Sequence, residues 1–325
     1  MGEGSGNELH SVFGKIDAMY RGLTEMVAPQ SRLMGIGLMA LASLIVPISD
    51  AMAKSLTSTL SPFYVAFARY LMAGVIVLAV TSRSLTILDA VRVDFRINAL
   101  RTALSVGAMT CFFFAISEVP LATAFGGFFI GPCIAAVLAI PVLGERFTTI
   151  RILAATTGLI GAYLIVRPDM NIKIGALLSM LSGLLSAGYL LATRRAASRT
   201  RPIDAVLFQC LFGALLLSPF AILKWAWPTA QELMLLASIG VISALCHFMV
   251  IVAFRHAEAA VLSPLVYLEL VTATLLGLLF FMDSPPIVTL IGMCFVIGSG
   301  LLIWLADRDA PSQKSSKRTS SLPNI

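Results

Sequence analysis

Apolar runs of about twenty residues, parted by short polar breaks, dominate the chain from residue 33 to residue 307. They lie near 33–53, 62–81, 99–117, 119–142, 150–166, 174–193, 203–223, 233–254, 259–282 and 286–305. About twenty residues is the length an α-helix needs to cross a bilayer. In hydrocarbon, helices satisfy every backbone polar group internally, and Gly or Pro breaks are tolerated where neighbours complete the bonding. The pattern predicts an all-α polytopic membrane protein with ten transmembrane helices. Before the first run, Leu9, Val12, Phe13, Ile16, Met19, Tyr20, Leu23, Met26 and Val27 recur at helical spacing up to Pro29. That spacing suits either a helix lying on the membrane surface or a mobile leader. The segment from Arg308 onward is polar, basic and Ser-rich, and is expected to be a disordered tail.

Composition agrees with lipid as the solvent. The 325 residues are 58% hydrophobic and 12% charged, with mean hydropathy +0.92, against about 25% charged in soluble domains. Glu3, Glu8, His10, Lys15, Asp17, Arg21, Glu25 and Arg32 leave the first residues without the apolar core of a cleaved signal, so the first span is expected to stay. The net charge of +6 is not a nucleic-acid footprint, because its placement tracks the membrane. With the N-terminus in the cytoplasm, four Lys and Arg face outward (Lys54, Arg167, Lys173 and Lys224), Arg69 lies within a helix, and the other 18 of 23 fall inside. Such asymmetry orients membrane proteins. It predicts an inner-membrane protein with both termini cytoplasmic. The five cysteines lie in apolar runs without metal-ligand spacing and read as small hydrophobes.

The spans also repeat. Shifting by 140 residues sets Gly35 on Gly175, Lys54 on Arg194 and Pro62 on Pro202. Shifting by 138 sets 115–169 on 253–307, so that Ala115 meets Ala253, Glu145 meets Asp283 and Asp169 meets Asp307. A unit of five helices is odd, so its second copy enters the membrane upside down. Inverted repeats of this kind build carriers that bind substrate between the halves. The expected organisation is a leader at 1–32, repeats at 33–170 and 171–307, and a tail at 308–325.

Residues 120–168 hold small residues opening the fourth helix, Pro132 within it, LGER at 143–146 and a Gly-bearing fifth helix ending at Arg167. This stretch resembles the end of an EamA domain of the drug/metabolite transporter superfamily, and SPFYVAFARYLMAGVIV at 61–77 resembles its second helix. The resemblance implies a ten-helix transporter that does not hydrolyse ATP, in line with the lack of a GxxxxGK[ST] loop. The second repeat departs from the pattern, with Asp283, Ser284 and Leu270 replacing the glutamate, arginine and proline. DAMAK at 50–54, FARY at 67–70 and YLELV at 267–271 resemble uptake members that carry S-adenosylmethionine or riboflavin.

Ionisable groups at membrane depth are expensive and so mark function. Glu269, about ten residues into the ninth helix, is the first candidate to line a substrate or proton path. Arg69 either snorkels outward, pairs with Asp50 or Glu269, or grips an anionic group. Asp50 stands four residues before Lys54, a spacing that permits a salt bridge on one helix face. His247 reads as a proton relay or an interhelical hydrogen bond. Tyr189 and Tyr267 are phenols that seek a partner in hydrocarbon. Phe112, Phe113, Phe114, Phe125, Phe128 and Phe129, with the two tyrosines, are candidates to stack on a flat ring system, although lipid-facing packing explains most of them, and Gly126, Gly127, Gly183 and Gly188 read as close-approach points. Glu118, Glu258 and Asp283 sit at helix ends, and Glu145 with Arg146 reads as a gate or hinge.

The function expected is secondary transport of a small organic metabolite, with uptake of a ring-bearing vitamin such as riboflavin foremost. S-adenosylmethionine uptake and export of amino acids or drugs are alternatives. An intramembrane enzyme is remote, since the chain has no HExxH. No cofactor and no metal are expected. The partners are the substrate and the bilayer, not nucleic acid, and a homodimer is left open.

Overall fold

The computed structural model describes residues 32–81, 95–143, 149–166, 173–196, 202–257 and 259–308. The stretch at 9–27, Glu145, Arg146, Glu258 and the tail lie outside these residues. Within them the chain is helical, without strands. The first repeat holds α1 (Arg32–Leu56), α2 (Pro62–Thr81), α3 (Phe95–Glu118), α4 (Leu121–Phe128) with α5 (Ile130–Leu143), and α6 (Thr149–Val166). The second holds α7 (Ile174–Ala196), α8 (Pro202–Leu223), α9 (Ala230–His256), α10 (Ala259–Leu262) with α11 (Leu268–Phe281), and α12 (Ile287–Arg308). A 3₁₀ turn at Ser263–Tyr267 joins α10 to α11. Seven stretches are long and apolar enough to span a membrane, and three shorter apolar helices complete the ten.

The two repeats pack as inverted copies. α1 lies along α9 as α7 lies along α3, and α2–α8, α4–α11 and α6–α12 each join equivalent helices. Matched glycines show this at atomic scale. A Cβ on Gly35 would sit 3.0 Å from the Ala253 carbonyl oxygen, and one on Gly175 would sit 3.3 Å from that of Ala115. These are the residues paired by the shifts of 140 and 138. α6 and α12 run antiparallel, with Gly158 near Ser299 and Gly161 near Val296 and Gly292.

The fourth and ninth spans break at equivalent places for different reasons. Pro132 has no N–H to give the Phe128 carbonyl, so the helix opens one turn earlier, at Phe129. In the ninth span Leu270 leaves the helix intact at that position, and Pro264 instead sets the 3₁₀ turn. The two breaks meet: the rings of Phe129 and Tyr267, matched by the 138 shift, lie 5.2 Å apart and are both buried.

Four of the six phenylalanines singled out in the sequence do not face lipid. Phe112, Phe113, Phe125 and Phe129 are buried, and Phe128 packs beside them. Edge contacts join Phe112 to Phe125 at 5.0 Å and Phe128 to Phe129 at 5.8 Å. The interior needs large rings because five helices per repeat leave a wide centre. Lipid is met by aliphatics such as Leu215, Ile222, Leu279 and Leu301.

Candidate functional site

Asp50 does not pair with Lys54 along its own helix. Arg69 Nη1 on α2 donates to Asp50 Oδ1 at 2.5 Å, both side chains are largely buried, and the guanidinium stands 5.7 Å from the Phe113 ring centre. Asp50 faces inward from α1 because the small residues Ser49, Ala51 and Ala53 around it let neighbouring helices close in. Glu269, in the first turn of α11, lies within electrostatic reach of both Asp50 and Arg69. It is half-buried and has no hydrogen bond or ion pair among the described residues.

Beside this cluster α2, α3, α4, α7, α8 and α9 enclose a cavity of about 230 Å³. Arg69 and His247 border it, and His247 is exposed to it and feels the Arg69 charge. A chain of polar groups crosses its wall. Tyr189 Oη donates to Gln209 Oε1 at 3.3 Å, Gln209 Nε2 donates to Ser105 Oγ at 2.9 Å, and the hydroxyls of Ser105 and Tyr70 lie 3.1 Å apart. Ser243 also lines the cavity, and its buried hydroxyl lacks a partner among the described residues. Phe128 adds an aromatic wall. This arrangement offers flat apolar faces to a ring and hydroxyl and amide groups to its edge.

The structure thus brings together Arg69, Asp50 and Glu269 in one cluster, and Arg69, Tyr189 and His247 around one cavity. Tyr267 is elsewhere, buried against Phe129 and Gly300. Tyr70, Ser105, Gln209 and Ser243 escaped the sequence reading. Gln209 alone carried a signal, as an amide inside the apolar run of α8.

At one end of the bundle the repeats are fastened together. Lys54 Nζ donates to the Val119 carbonyl at 2.9 Å and to Asp283 Oδ2 at 3.2 Å, and lies 5.1 Å from the Phe281 ring centre. Asp283 is aimed there by Met282, the only non-glycine residue at positive φ (53°) among those described, while the Asp283 N–H bonds Gly277 O at 3.0 Å. Nearby, Thr59 donates to Glu232, whose carboxylate also caps α9 through Thr229. At the opposite end Arg195 donates to the Val142 carbonyl at 2.9 Å.

Comparison with known proteins gives this architecture its family. The EamA-like transporter family profile matches residues 33–167 and again 173–305. The chain belongs to the EamA-like transporter family. Among EamA-like relatives, the S-adenosylmethionine uptake transporter of Rickettsia felis is 27% identical over 88% of this chain and 98% of its own. The riboflavin transporter of Brucella anthropi is 26% identical over 75% and 88%, and the pseudopaline exporter of Pseudomonas aeruginosa 24% over 81% and 93%. A solved crystal structure at 19% identity covers 86% of this chain and all of its own with a TM-score of 0.62, sharing the fold. This EamA-like protein is therefore a multi-pass membrane transporter of a small molecule.

Proposed function

We propose that the protein is an alternating-access secondary transporter of the bacterial inner membrane that imports a small, ring-bearing organic metabolite. The observation that carries this reading is the cavity between the repeats, with aromatic faces and a hydrogen-bonded Tyr189–Gln209–Ser105–Tyr70 wall. At about 230 Å³ it is smaller than ligand pockets of about 300–1,000 Å³, as a carrier closed around a partly collapsed site would be. The Lys54–Asp283 and Arg195–Val142 fastenings lie at opposite ends of it, and rocking one repeat against the other would release them in turn.

Relatives named for S-adenosylmethionine uptake and for riboflavin transport support a ring-bearing cargo. The test is accumulation of labelled riboflavin and S-adenosylmethionine in cells that cannot make them, followed by counterflow in proteoliposomes. Counterflow marks a carrier and is produced by neither a channel nor an intramembrane enzyme. Export is the second reading, favoured by the pseudopaline exporter relative. Absence of accumulation, together with raised resistance to amino-acid analogues, would replace uptake with export.

A further inference from the structure

The polar side chains that line the cavity fall into two sets. On one wall Tyr189, Gln209, Ser105 and Tyr70 hold one another in a single chain, and both ends of the Gln209 amide are used within it. On α9 the lining residues Ser243 and His247 have no hydrogen bond among the described residues. Ser243 is 4% exposed, so its hydroxyl is cut off from bulk water. The two residues are one turn apart on one helix face, which sets their Cβ atoms about 5–6 Å apart. The polar edge of a single six-membered ring bridges that span. Arg69 borders the same cavity from α2, within electrostatic reach of His247, and gives Asp50 one of the five N–H groups that a guanidinium carries.

The lining also bears on the charge of its ligand. Among the described residues no Asp, Glu or Lys lines the cavity, and the Arg69 guanidinium is paired with Asp50. A ligand with a net charge sheds its hydration on entry and meets no free counter-charge there, which costs far more than moving a neutral ring. A neutral ring sheds only the hydration of its polar edge, which Ser243, His247 and Arg69 replace. Their chemistry is unequal: a guanidinium donates only, whereas a hydroxyl and a neutral imidazole each donate and accept. Three donors thus stand beside two acceptors, and the matching edge is richer in carbonyl oxygens than in N–H. An imide, one N–H between two carbonyls, has that composition. The amidine edge of an adenine instead brings an amino group where a carbonyl is needed.

We propose that Ser243, His247 and Arg69 form the recognition site for an uncharged heteroaromatic ring with a cyclic imide edge. The imide N–H donates to His247, its carbonyls accept from Ser243 and Arg69, and Phe128 supplies the wall for the ring face. This rests on the transporter reading and names its substrate class.

Flavin fluorescence tests the site on the full chain in lipid nanodiscs. Riboflavin carries the imide edge without net charge, and 3-methylriboflavin has a methyl group in place of the imide hydrogen. Losing one hydrogen bond in a buried site weakens binding about 10- to 100-fold. The wild type is expected to quench riboflavin, to bind the methylated analogue more weakly by that factor, and to keep riboflavin against an equal concentration of S-adenosylmethionine. Ser243→Ala should weaken riboflavin by a similar factor and retain the preference over the analogue. His247→Ala should lose the preference, and His247→Gln, which keeps an acceptor, should restore it. A merely structural role for His247 would alter affinity for both flavins and leave the preference intact. Melting profiles establish that each variant is folded. Equal binding of the two flavins by the wild type, a preference retained in His247→Ala, or displacement of riboflavin by S-adenosylmethionine overturns the proposal. So does binding of neither flavin; counterflow of S-adenosylmethionine would then still uphold the importer reading, and counterflow of no ring-bearing solute would remove both.

Discussion

Replacing Lys54 by Gln should loosen the end of the bundle that Lys54 closes. Its ammonium joins the end of α1 in the first repeat to Asp283 beyond α11 in the second, and both side chains are mostly buried (15% and 21% exposed). Exposed ion pairs are worth about 0.2–1 kcal/mol, a hydrogen bond from a charged donor about 1.5–3, and a cation over a ring about 0.5–1. Glutamine keeps some of the bond to the Val119 carbonyl, and neighbouring contacts do not add fully. The net loss is about 1–2 kcal/mol. That corresponds to a roughly 5- to 30-fold change in the ratio of closed to open carrier. A cysteine at Val119, 4% exposed beneath the fastening, reports it in a background without the five native cysteines. Labelling by a small aqueous thiol reagent should speed up by that factor in Lys54→Gln and equally in Asp283→Asn. The exchanged pair, Lys54→Asp with Asp283→Lys, should restore slow labelling. Unchanged labelling in both single variants would show that the fastening does not hold the closed form.

Other substitutions probe the core and the cavity. Asp50→Ala strands the Arg69 guanidinium and should destabilise by about 3–5 kcal/mol; the apolar pair Asp50→Leu with Arg69→Met should melt closer to wild type in detergent. Gly161→Ala drives a methyl to within 2.6 Å of the Gly292 carbonyl oxygen, which should cost about 1–3 kcal/mol. Gly37→Ala meets nothing within 4 Å and should leave the melting temperature unlowered. Gln209→Leu removes the middle of the cavity's polar chain and should weaken substrate binding by roughly 10- to 100-fold, about 1.4–2.8 kcal/mol, with little change in melting.

The helices were legible because hydrocarbon imposes one pattern on every span, and the duplication because Gly35 and Gly175 serve the same close approach. Pairings across the bundle were less so. The i, i+4 spacing of Asp50 and Lys54 is a property of one helix, whereas each residue turns to another: Asp50 to Arg69, 19 positions away, and Lys54 to Asp283, 229 away. Periodicity records which face a residue occupies and not which helix arrives there. The run at 119–142 reads as one continuous span, yet it breaks at Phe129, because Pro132 leaves the carbonyl one turn before it without its donor. Ser105 and Ser243 carry no signal in sequence, since an isolated serine in a membrane helix usually bonds its own backbone. Lipid-facing packing, the reading that sequence favours for most of the phenylalanines, fails for Phe112, Phe113, Phe125 and Phe129, because apolar rings suit both lipid and a protein interior.

The meeting of Phe129 and Tyr267 has a further consequence. In a dimer of identical five-helix chains, the residue nearest the two-fold axis faces its own copy, and any change in one is forced on both. Once both copies are carried in one chain that constraint disappears. Here the two rings differ by a single oxygen, and the break beside each is produced by a different proline. The same freedom lets Glu269 stand where the first repeat has Gly131. Fusion thus permits a lopsided interior inside a nearly symmetric frame.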